Sequence, residues 1–169
     1  EKARVELVNI GGGQVGRLLA AQARSLGYEV VALTRADVDI TDRAAVAGRV
    51  RAGDLVVNCA AFTNVDAAES EPEAAHAANA VGPGVIAAAC VAAGAGLIHL
   101  STDYVFPGDA GRPYEIDDPT GPLGVYAESK LAGEQAVLAA SCDFYVVRTS
   151  WVYTGADGSD FVAVMRRLA

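Results

Sequence analysis

The sequence predicts a doubly wound α/β domain with a mostly parallel sheet. Short apolar runs alternate with helical patterns along the chain, and a glycine cluster directly follows the first apolar run. Strands that alternate with helices form βαβ units, whose right-handed crossovers give parallel strands covered by helices. A length of 169 residues fits one such domain, so we predict a single domain over residues 1–169.

Five apolar runs are predicted as strands. The first is apolar enough to be buried on both faces, as is usual in parallel sheets. In chain order, the predicted strands are Val5–Ile10, Glu29–Leu33, Asp54–Cys59, Gly96–Ser101 and Phe144–Thr149.

Helical spacing of apolar residues marks the segments between and after these strands. The first helix follows the glycine cluster and ends at Gly27, a residue favoured at helix C-termini. Pro72 is well placed in the first turn of a long alanine-rich helix. The remaining predicted helices cover 43–51, 72–93, 125–139 and 161–168, and residues 102–123 form a proline-rich irregular loop of the kind that often carries function.

Composition and charge exclude several classes of partner. Lys+Arg 13 against Asp+Glu 21 gives 13 − 21 = −8, which argues against nucleic-acid and anionic-membrane partners. No apolar run approaches the roughly 20 residues of a membrane span, and the first four residues do not begin a signal peptide. Cys59, Cys90 and Cys142 are few and widely spaced, so we expect a cytoplasmic protein without a disulfide framework or a metal site.

A dinucleotide-binding turn is predicted straight after the first strand. The segment Gly11-Gly12-Gly13-Gln14-Val15-Gly16 fits G-x-G-x-x-G at a junction between a strand and a helix. Missing side chains let the backbone approach a pyrophosphate, and the helix N-terminus offers free N–H groups. The alternative is a tight βα turn without a ligand.

The end of the second strand indicates which cofactor is preferred. An acid there would bind a ribose 2′-hydroxyl, whereas Arg35 suits the 2′-phosphate of NADP. We therefore predict NADPH, with NADH as the alternative cofactor if Arg35 is only a solvated surface residue. Asp39, followed by Ile40, either accepts from the adenine amino group or helps Asp42 to cap the next helix.

Tyr126 and Lys130 form a Y-x-x-x-K pattern on a predicted helix. Residues four apart share a helix face, so the phenol and the ammonium are expected in one site. The ammonium would lower the tyrosine pKa and help the phenol to donate a proton to a carbonyl oxygen. Thr102 ends the fourth strand, at the sheet edge where α/β proteins bind ligands, and its hydroxyl would bond the same oxygen.

A run of acidic residues precedes the long helix. We interpret it as a solvated helix entry, and its members are Asp66, Glu69, Glu71 and Glu73.

Together these motifs resemble the extended short-chain dehydrogenase/reductases, and within them the dTDP-4-dehydrorhamnose reductase family. The matching segments cover nearly the whole chain. They are G-Q-V-G at 13–16, N-C-A-A-F-T at 58–63, S-T-D-Y-V-F at 101–106, V-Y-A-E-S-K-L-A-G-E at 125–134 and R-T-S-W-V-Y at 148–153.

The resemblance implies a Rossmann-like fold and NAD(P)H-dependent reduction of the 4-keto group of dTDP-4-dehydro-L-rhamnose. It implies a catalytic triad of Thr102, Tyr126 and Lys130. The implied cofactor site comprises Gly13, Gln14, Val15, Arg35, Asp39, Ile40, Ala60, Ala61 and Thr63, together with Tyr126 and Lys130. The implied contacts to the dTDP-sugar are Thr102, Asp103, Tyr126 and Trp151.

The sequence departs from the family pattern in two ways. Ile10 stands where the first motif glycine is usual, so either Gly11 replaces it with a shifted turn or the pyrophosphate binds less well. Family members also continue into a C-terminal region that builds much of the sugar pocket. Here only the start of a substrate-binding region is expected after about residue 150, which leaves apolar surface around Trp151 that favours association, with a homodimer as the expected assembly.

Two other functions remain open at this point. One is a non-catalytic NAD(P)-binding regulatory subunit of the same fold, because a fold alone does not define a function. The other is a related sugar-nucleotide epimerase or dehydratase with the same triad. Asp103 is followed by Tyr104 and not by a second acid, which is against the dehydratase.

Overall fold

Five parallel strands form the centre of the protein. The computed structural model describes residues 6–141, 143–153 and 160–168. The strands are β1 (Glu6–Ile10), β2 (Glu29–Leu33), β3 (Leu55–Asn58), β4 (Gly96–Thr102) and β5 (Phe144–Thr149), and their order in the sheet is β2-β1-β3-β4-β5. The predicted doubly wound sheet is therefore confirmed, although Val5 and Cys142 lie outside the described residues.

Helices connect the strands. They are α1 (Gln14–Ser25), α2 (Arg43–Ala47), α3 (Val65–Ser70), α4 (Pro72–His76), α5 (Gly82–Ala93), α6 (Val125–Leu138) and α7 (Phe161–Leu168). A π-helical turn, Ala77–Val81, joins α4 to α5, and a 3₁₀ turn, Asp103–Val105, follows β4.

Two short helices differ from the sequence prediction. Helix α2 is shorter than the predicted 43–51, because the chain leaves the helix at Gly48, a residue of low helix propensity. Helix α3 was not predicted. Asn64 caps it by accepting from the amide of Ala67 at 3.0 Å, and Ala68 is the residue of this helix that is fully buried.

The main core lies between the sheet and one layer of helices. Right-handed crossovers place α1 on one face of the sheet and α2, α5 and α6 on the other. The contacts of α5 with both α2 and α6 agree with this arrangement. Valine and leucine from β1, β3 and β4 meet Ile86 and Cys90 of α5 there.

The helical segment Pro72–Ala93 needs a correction to the sequence analysis. It spans 22 residues with a mean hydropathy of 1.4, so it is long and apolar enough to cross a membrane. The expectation that no apolar segment reaches this length was therefore wrong. In the most apolar stretch of this segment, 56% is buried inside the fold. Its side chains pack in the core against the sheet. That burial is typical of a core helix.

The strand order defines one switch point, between β1 and β3. From β1 the chain runs outward to β2 on one side, and then returns to β3 on the other. Ligands of open α/β sheets bind in the crevice outside the carboxyl ends of the strands at such a point. Gly11 follows β1 there, beside the segment that follows β3.

Candidate active site

A cleft of about 330 Å³ opens at the carboxyl edge of β3, β4 and β5. It brings together side chains from the glycine turn, the segment after β3, the end of β4 and the first turns of α6. The predicted site residues that line it are Val15, Ala61, Thr63, Thr102, Asp103, Tyr126, Lys130 and Trp151. The other predicted cofactor residues lie outside this lining, and they are Gly11, Gly13, Gln14, Arg35, Asp39, Ile40 and Ala60.

The glycine turn is built around Gly11 and not around Ile10. Ile10 is the last residue of β1 and is buried. Gly11 has a φ of 125°, and a Cβ there would lie 2.6 Å from the amide nitrogen of Ala60. At Gly16 a Cβ would collide with the carbonyl oxygen of Gly11. Only glycine fits these two positions, so the shifted turn, one of the two alternatives from the sequence, is what the chain forms.

The turn leaves room for a ligand at the start of α1. Gly13 is the N-cap residue, and a Cβ placed there would meet nothing within 4 Å. Gln14 and Val15 begin the helix, so free N–H groups face this open space. Asn9 braces the turn by donating to the carbonyl oxygen of Gly16 at 3.1 Å. This cradle fits a pyrophosphate.

The end of β2 places Arg35 at the surface next to Asp39. The main cause that lowers the pKa of the Asp39 carboxyl is a hydrogen bond from the Thr41 amide. The charge of Arg35, which is exposed, lowers the same pKa further. The amide and the hydroxyl of Thr41 both donate to one Asp39 oxygen, at 2.9 and 2.7 Å. Ile40 packs against Gly82. Asp39 therefore orders a turn, while Asp42 alone caps α2.

Thr102 and Tyr126 meet at the base of the cleft. The Thr102 hydroxyl accepts from the amide of Tyr104 at 3.2 Å, which holds it at the start of the 3₁₀ turn. Burial raises the pKa of Tyr126, and a hydrogen bond with the Thr102 side chain opposes that rise. The Tyr104 ring packs edge-on against the Tyr126 ring, with centroids 5.9 Å apart. These contacts fix the phenol beside the hydroxyl.

Lys130 is buried and bound to the sheet. Its ammonium donates to the carbonyl oxygen of Leu100 at 2.7 Å. Burial lowers the pKa of Lys130 from 10.5 to about 8, against the opposing charge of Glu134. The sequence expectation of a lowered Tyr126 pKa is wrong, because burial raises that pKa and outweighs the groups that lower it.

The low pKa of Lys130 predicts a pH-dependent stability. An unfolded lysine keeps its proton up to about pH 10.5, whereas folded Lys130 releases it near pH 8. The unfolded state binds more protons between these values, so we expect the free energy of unfolding to rise with pH across this window. The rise attributable to Lys130 should be about 1–3 kcal/mol, at about 1.4 kcal/mol per pKa unit.

Denaturant unfolding of the cofactor-free protein at several pH values measures this effect. Lys130→Met is the control, because it removes the titrating group and leaves every other one in place. The difference between the wild type and the variant should grow from about pH 8 to pH 10. A difference that stays constant across this range would contradict the assigned pKa.

Asn79 connects the segment after β3 to α6. Its side-chain oxygen accepts from the amide of Phe62 at 2.8 Å, and its side-chain nitrogen donates to the carbonyl of Phe62 and to the hydroxyl of Ser129, both at 3.0 Å. Ser129 in turn donates to the carbonyl oxygen of Tyr126 at 2.7 Å. This buried network ties one wall of the cleft to the backbone of Tyr126.

Trp151 forms an exposed wall of the cleft. It is 74% exposed and has a φ of 51°, a backbone conformation that residues other than glycine rarely adopt. Its ring packs edge-on against Phe161, with centroids 5.4 Å apart. Val152 and Tyr153 are exposed as well, so this apolar surface is open, as expected from the sequence.

A buried ion pair behind the site was not predicted. Glu134 of α6 is 1% exposed, and Arg148 of β5 binds it in two places, through Nη2 at 2.7 Å and Nε at 3.0 Å. The guanidinium of Arg148 also lies over the ring of Phe106, 4.7 Å from its centroid. Phe106 stacks on Tyr114. The pair thus fastens the irregular loop to the helix that carries Tyr126.

Glu69 of α3 was predicted as a solvated acid, and the structure gives it a contact. Its carboxylate accepts from the amide of Val125, the first residue of α6, at 2.8 Å. The two residues are 56 positions apart, so no local sequence pattern could have revealed this pairing.

The parallel sheet, the glycine turn at its switch point and the cluster of Thr102, Tyr126 and Lys130 define a protein of the short-chain dehydrogenase/reductase class. Comparison with known families agrees. The chain belongs to the family described as the RmlD substrate binding domain, whose model matches residues 6–169.

Curated relatives share much of the sequence. The chain is 65% identical over 159 residues to a dTDP-4-dehydrorhamnose reductase of Mycolicibacterium smegmatis, covering 94% of this chain and 49% of the relative. It is 60% identical over 162 residues to a reductase of the same name from Mycobacterium tuberculosis, covering 94% of this chain and 53% of the relative. The chain thus spans about half the length of the curated relatives it matches.

Solved structures support the fold. A dTDP-4-dehydrorhamnose reductase of Bacillus anthracis, in complex with NADP, superposes with a TM-score of 0.91 at 36% sequence identity. The match covers 98% of this chain and 59% of the other.

Proposed function

We propose that the protein reduces the 4-keto group of dTDP-4-dehydro-L-rhamnose to give dTDP-L-rhamnose, a precursor of cell-surface polysaccharides. The observation that carries this proposal is the meeting of Thr102, Tyr126 and Lys130 in one cleft with Val15 and Ala61. The names of the mycobacterial relatives support the choice of substrate.

NADPH fits the site as the preferred cofactor, with NADH as the alternative. The open space at Gly13 fits the pyrophosphate, and exposed Arg35 fits a 2′-phosphate. Gly11 packs against the backbone of Ala60 and so allows the turn to form. The remaining residues proposed to hold the cofactor are Gln14, Val15, Asp39, Ile40, Ala60, Ala61, Thr63, Tyr126 and Lys130. When bound, NADPH supplies the hydride for the reduction.

Residues of the chain donate the proton to the ketone and orient it. Tyr126 donates its phenolic proton to the keto oxygen, and Thr102 donates a hydrogen bond to the same oxygen. The buried ammonium of Lys130 favours the tyrosinate that remains. Asp103 and Trp151, at the rim of the cleft, contact the dTDP-sugar. The phenol starts from a raised pKa because it is buried.

The same proposal extends to the setting of the enzyme. Residues 1–169 form the NAD(P)-binding domain and, after about residue 150, the start of the substrate-binding region. In residues 1–169 taken alone, the exposed apolar surface at Trp151, Val152 and Tyr153 favours association as a homodimer. The few and widely spaced cysteines favour a cytoplasmic enzyme. The net charge of −8 argues against nucleic-acid and anionic-membrane partners.

The test is reduction of dTDP-4-dehydrorhamnose by the full natural chain, followed through NADPH absorbance, with the product identified by mass. Production of dTDP-L-rhamnose with stoichiometric loss of NADPH is the expected result. Binding of NADPH without turnover would favour a regulatory nucleotide-binding subunit, and a redox-neutral product would favour an epimerase or dehydratase.

We expect Arg35→Ala to weaken NADPH binding at least about tenfold, because a hydrogen bond to a charged group contributes about 1.5–3 kcal/mol. NADH carries no 2′-phosphate, so its affinity should change little. Fluorescence titration with each cofactor measures both values, and Arg43→Ala, a change at another exposed arginine, is the control. Equal losses for NADPH and NADH would show that Arg35 does not read the phosphate.

A further inference from the structure

We infer that Glu69 is a positioning residue for catalysis, because it holds the first turn of α6 and with it the phenol of Tyr126. The inference rests on the proposed function for its catalytic consequence. Its structural basis is the contact between the Glu69 carboxylate and the amide of Val125, at 2.8 Å.

Helix α6 cannot cap its own N-terminus. Its N-cap residue is Gly124, which has no side chain to accept from the free amides of the first turn. The first backbone hydrogen bond within the helix runs from the amide of Glu128 to the carbonyl oxygen of Gly124, so the amide of Val125 has no partner inside the helix. Glu69 supplies the acceptor from α3, and its negative charge suits the positive end of the helix dipole.

Gly124 and Glu69 depend on each other. Gly124 has a φ of 84°, and a Cβ at this position would lie 2.8 Å from the Glu69 carboxylate oxygen. A residue with a side chain would therefore be strained and would also crowd the carboxylate. Glycine at position 124 therefore both leaves α6 without a side-chain cap of its own and leaves room for the carboxylate of Glu69.

The contact joins both walls of the cleft. Helix α3 begins at Val65, directly after Thr63 and Asn64, and Val65 and Thr63 both line the cleft. Tyr126 is the residue that follows Val125. A displacement of the first turn of α6 would move the phenol relative to Thr102, which a strand holds independently. Because small misplacements of reacting groups are costly, a weakened cap should lower kcat more than cofactor affinity.

Glu69→Ala in the full natural chain tests the inference in two independent ways. Amide hydrogen exchange, resolved by NMR, should show the amide of Val125 exchanging at least about tenfold faster, as expected for loss of a charged hydrogen bond. The same variant should lose about tenfold in kcat while the NADPH dissociation constant stays near that of the wild type. The melting temperature should fall by only a few degrees, as expected for the loss of one helix cap. Glu69→Gln keeps an acceptor oxygen and should restore most of both properties.

The matched control is Glu73→Ala, at an exposed acid on α4 for which the described part of the chain shows no side-chain hydrogen bond. It should alter neither measurement. Unchanged exchange at Val125 in Glu69→Ala, or faster exchange with normal kcat, would overturn the inference, as would equal losses in kcat, cofactor affinity and melting temperature. If the wild type reduces no keto sugar, the proposed function fails, whereas the exchange measurement still decides whether Glu69 holds this turn.

Discussion

Tyr126→Phe is expected to lower kcat about 10²–10⁴-fold while the fold and the affinity for NADPH are retained. The change removes only the phenolic oxygen, and general acid catalysis contributes an effect of this size. The ring contact between Tyr104 and Tyr126 needs no hydroxyl, so phenylalanine fills the same space. Steady-state reduction of dTDP-4-dehydrorhamnose by the full natural chain, followed through NADPH absorbance, measures the loss.

Variants at the two partner residues sharpen this result. Lys130→Met should be comparably damaging, because it removes the buried charge that favours tyrosinate. Thr102→Val should cost less, since it removes one hydrogen bond of roughly 1–3 kcal/mol, and Thr102→Ser less again because it keeps the hydroxyl. Near-normal turnover by Tyr126→Phe, with NADPH still bound, would leave the regulatory subunit as the better interpretation.

The features that the sequence predicted well are local in the chain. A glycine that must adopt a positive φ, a proline in a first turn and a pair four residues apart each leave a signal within a few positions. Gly16 illustrates this, because a Cβ there would collide with the carbonyl oxygen of Gly11 in the same turn. The bounds of β5 were also predicted correctly, since the apolar run begins and ends at the same residues as the strand.

The features that the sequence could not predict depend on contacts between distant segments. The sequence indicates only that Glu69 is one acid in a solvated run. The fold places its carboxylate beside the amide of Val125. Glu134 and Arg148 likewise reach each other only when α6 packs on β5. The pKa of Tyr126 was misjudged for the same reason, because spacing along a helix reveals the nearby ammonium but not the depth of burial.

The second large effect is expected at the buried ion pair. Arg148→Leu should lower the free energy of unfolding by about 3–5 kcal/mol, because it leaves the carboxylate of Glu134 buried without its partner. The variant also loses the guanidinium that lies over Phe106, so the irregular loop should detach from α6. Chemical denaturation measures the loss of stability, and proteolysis of the loop measures its release.

Two further variants separate the buried charge from other causes. Asp118→Asn breaks a bidentate pair with Arg112 on the exposed loop, and it should change stability little because solvent screens that pair. Replacing Glu134 and Arg148 together by leucine should recover most of the stability lost by Arg148→Leu, since no uncompensated carboxylate remains. If the double variant is as unstable as the single one, the loss of stability arises from the lost packing over Phe106 and not from the unpaired charge of Glu134.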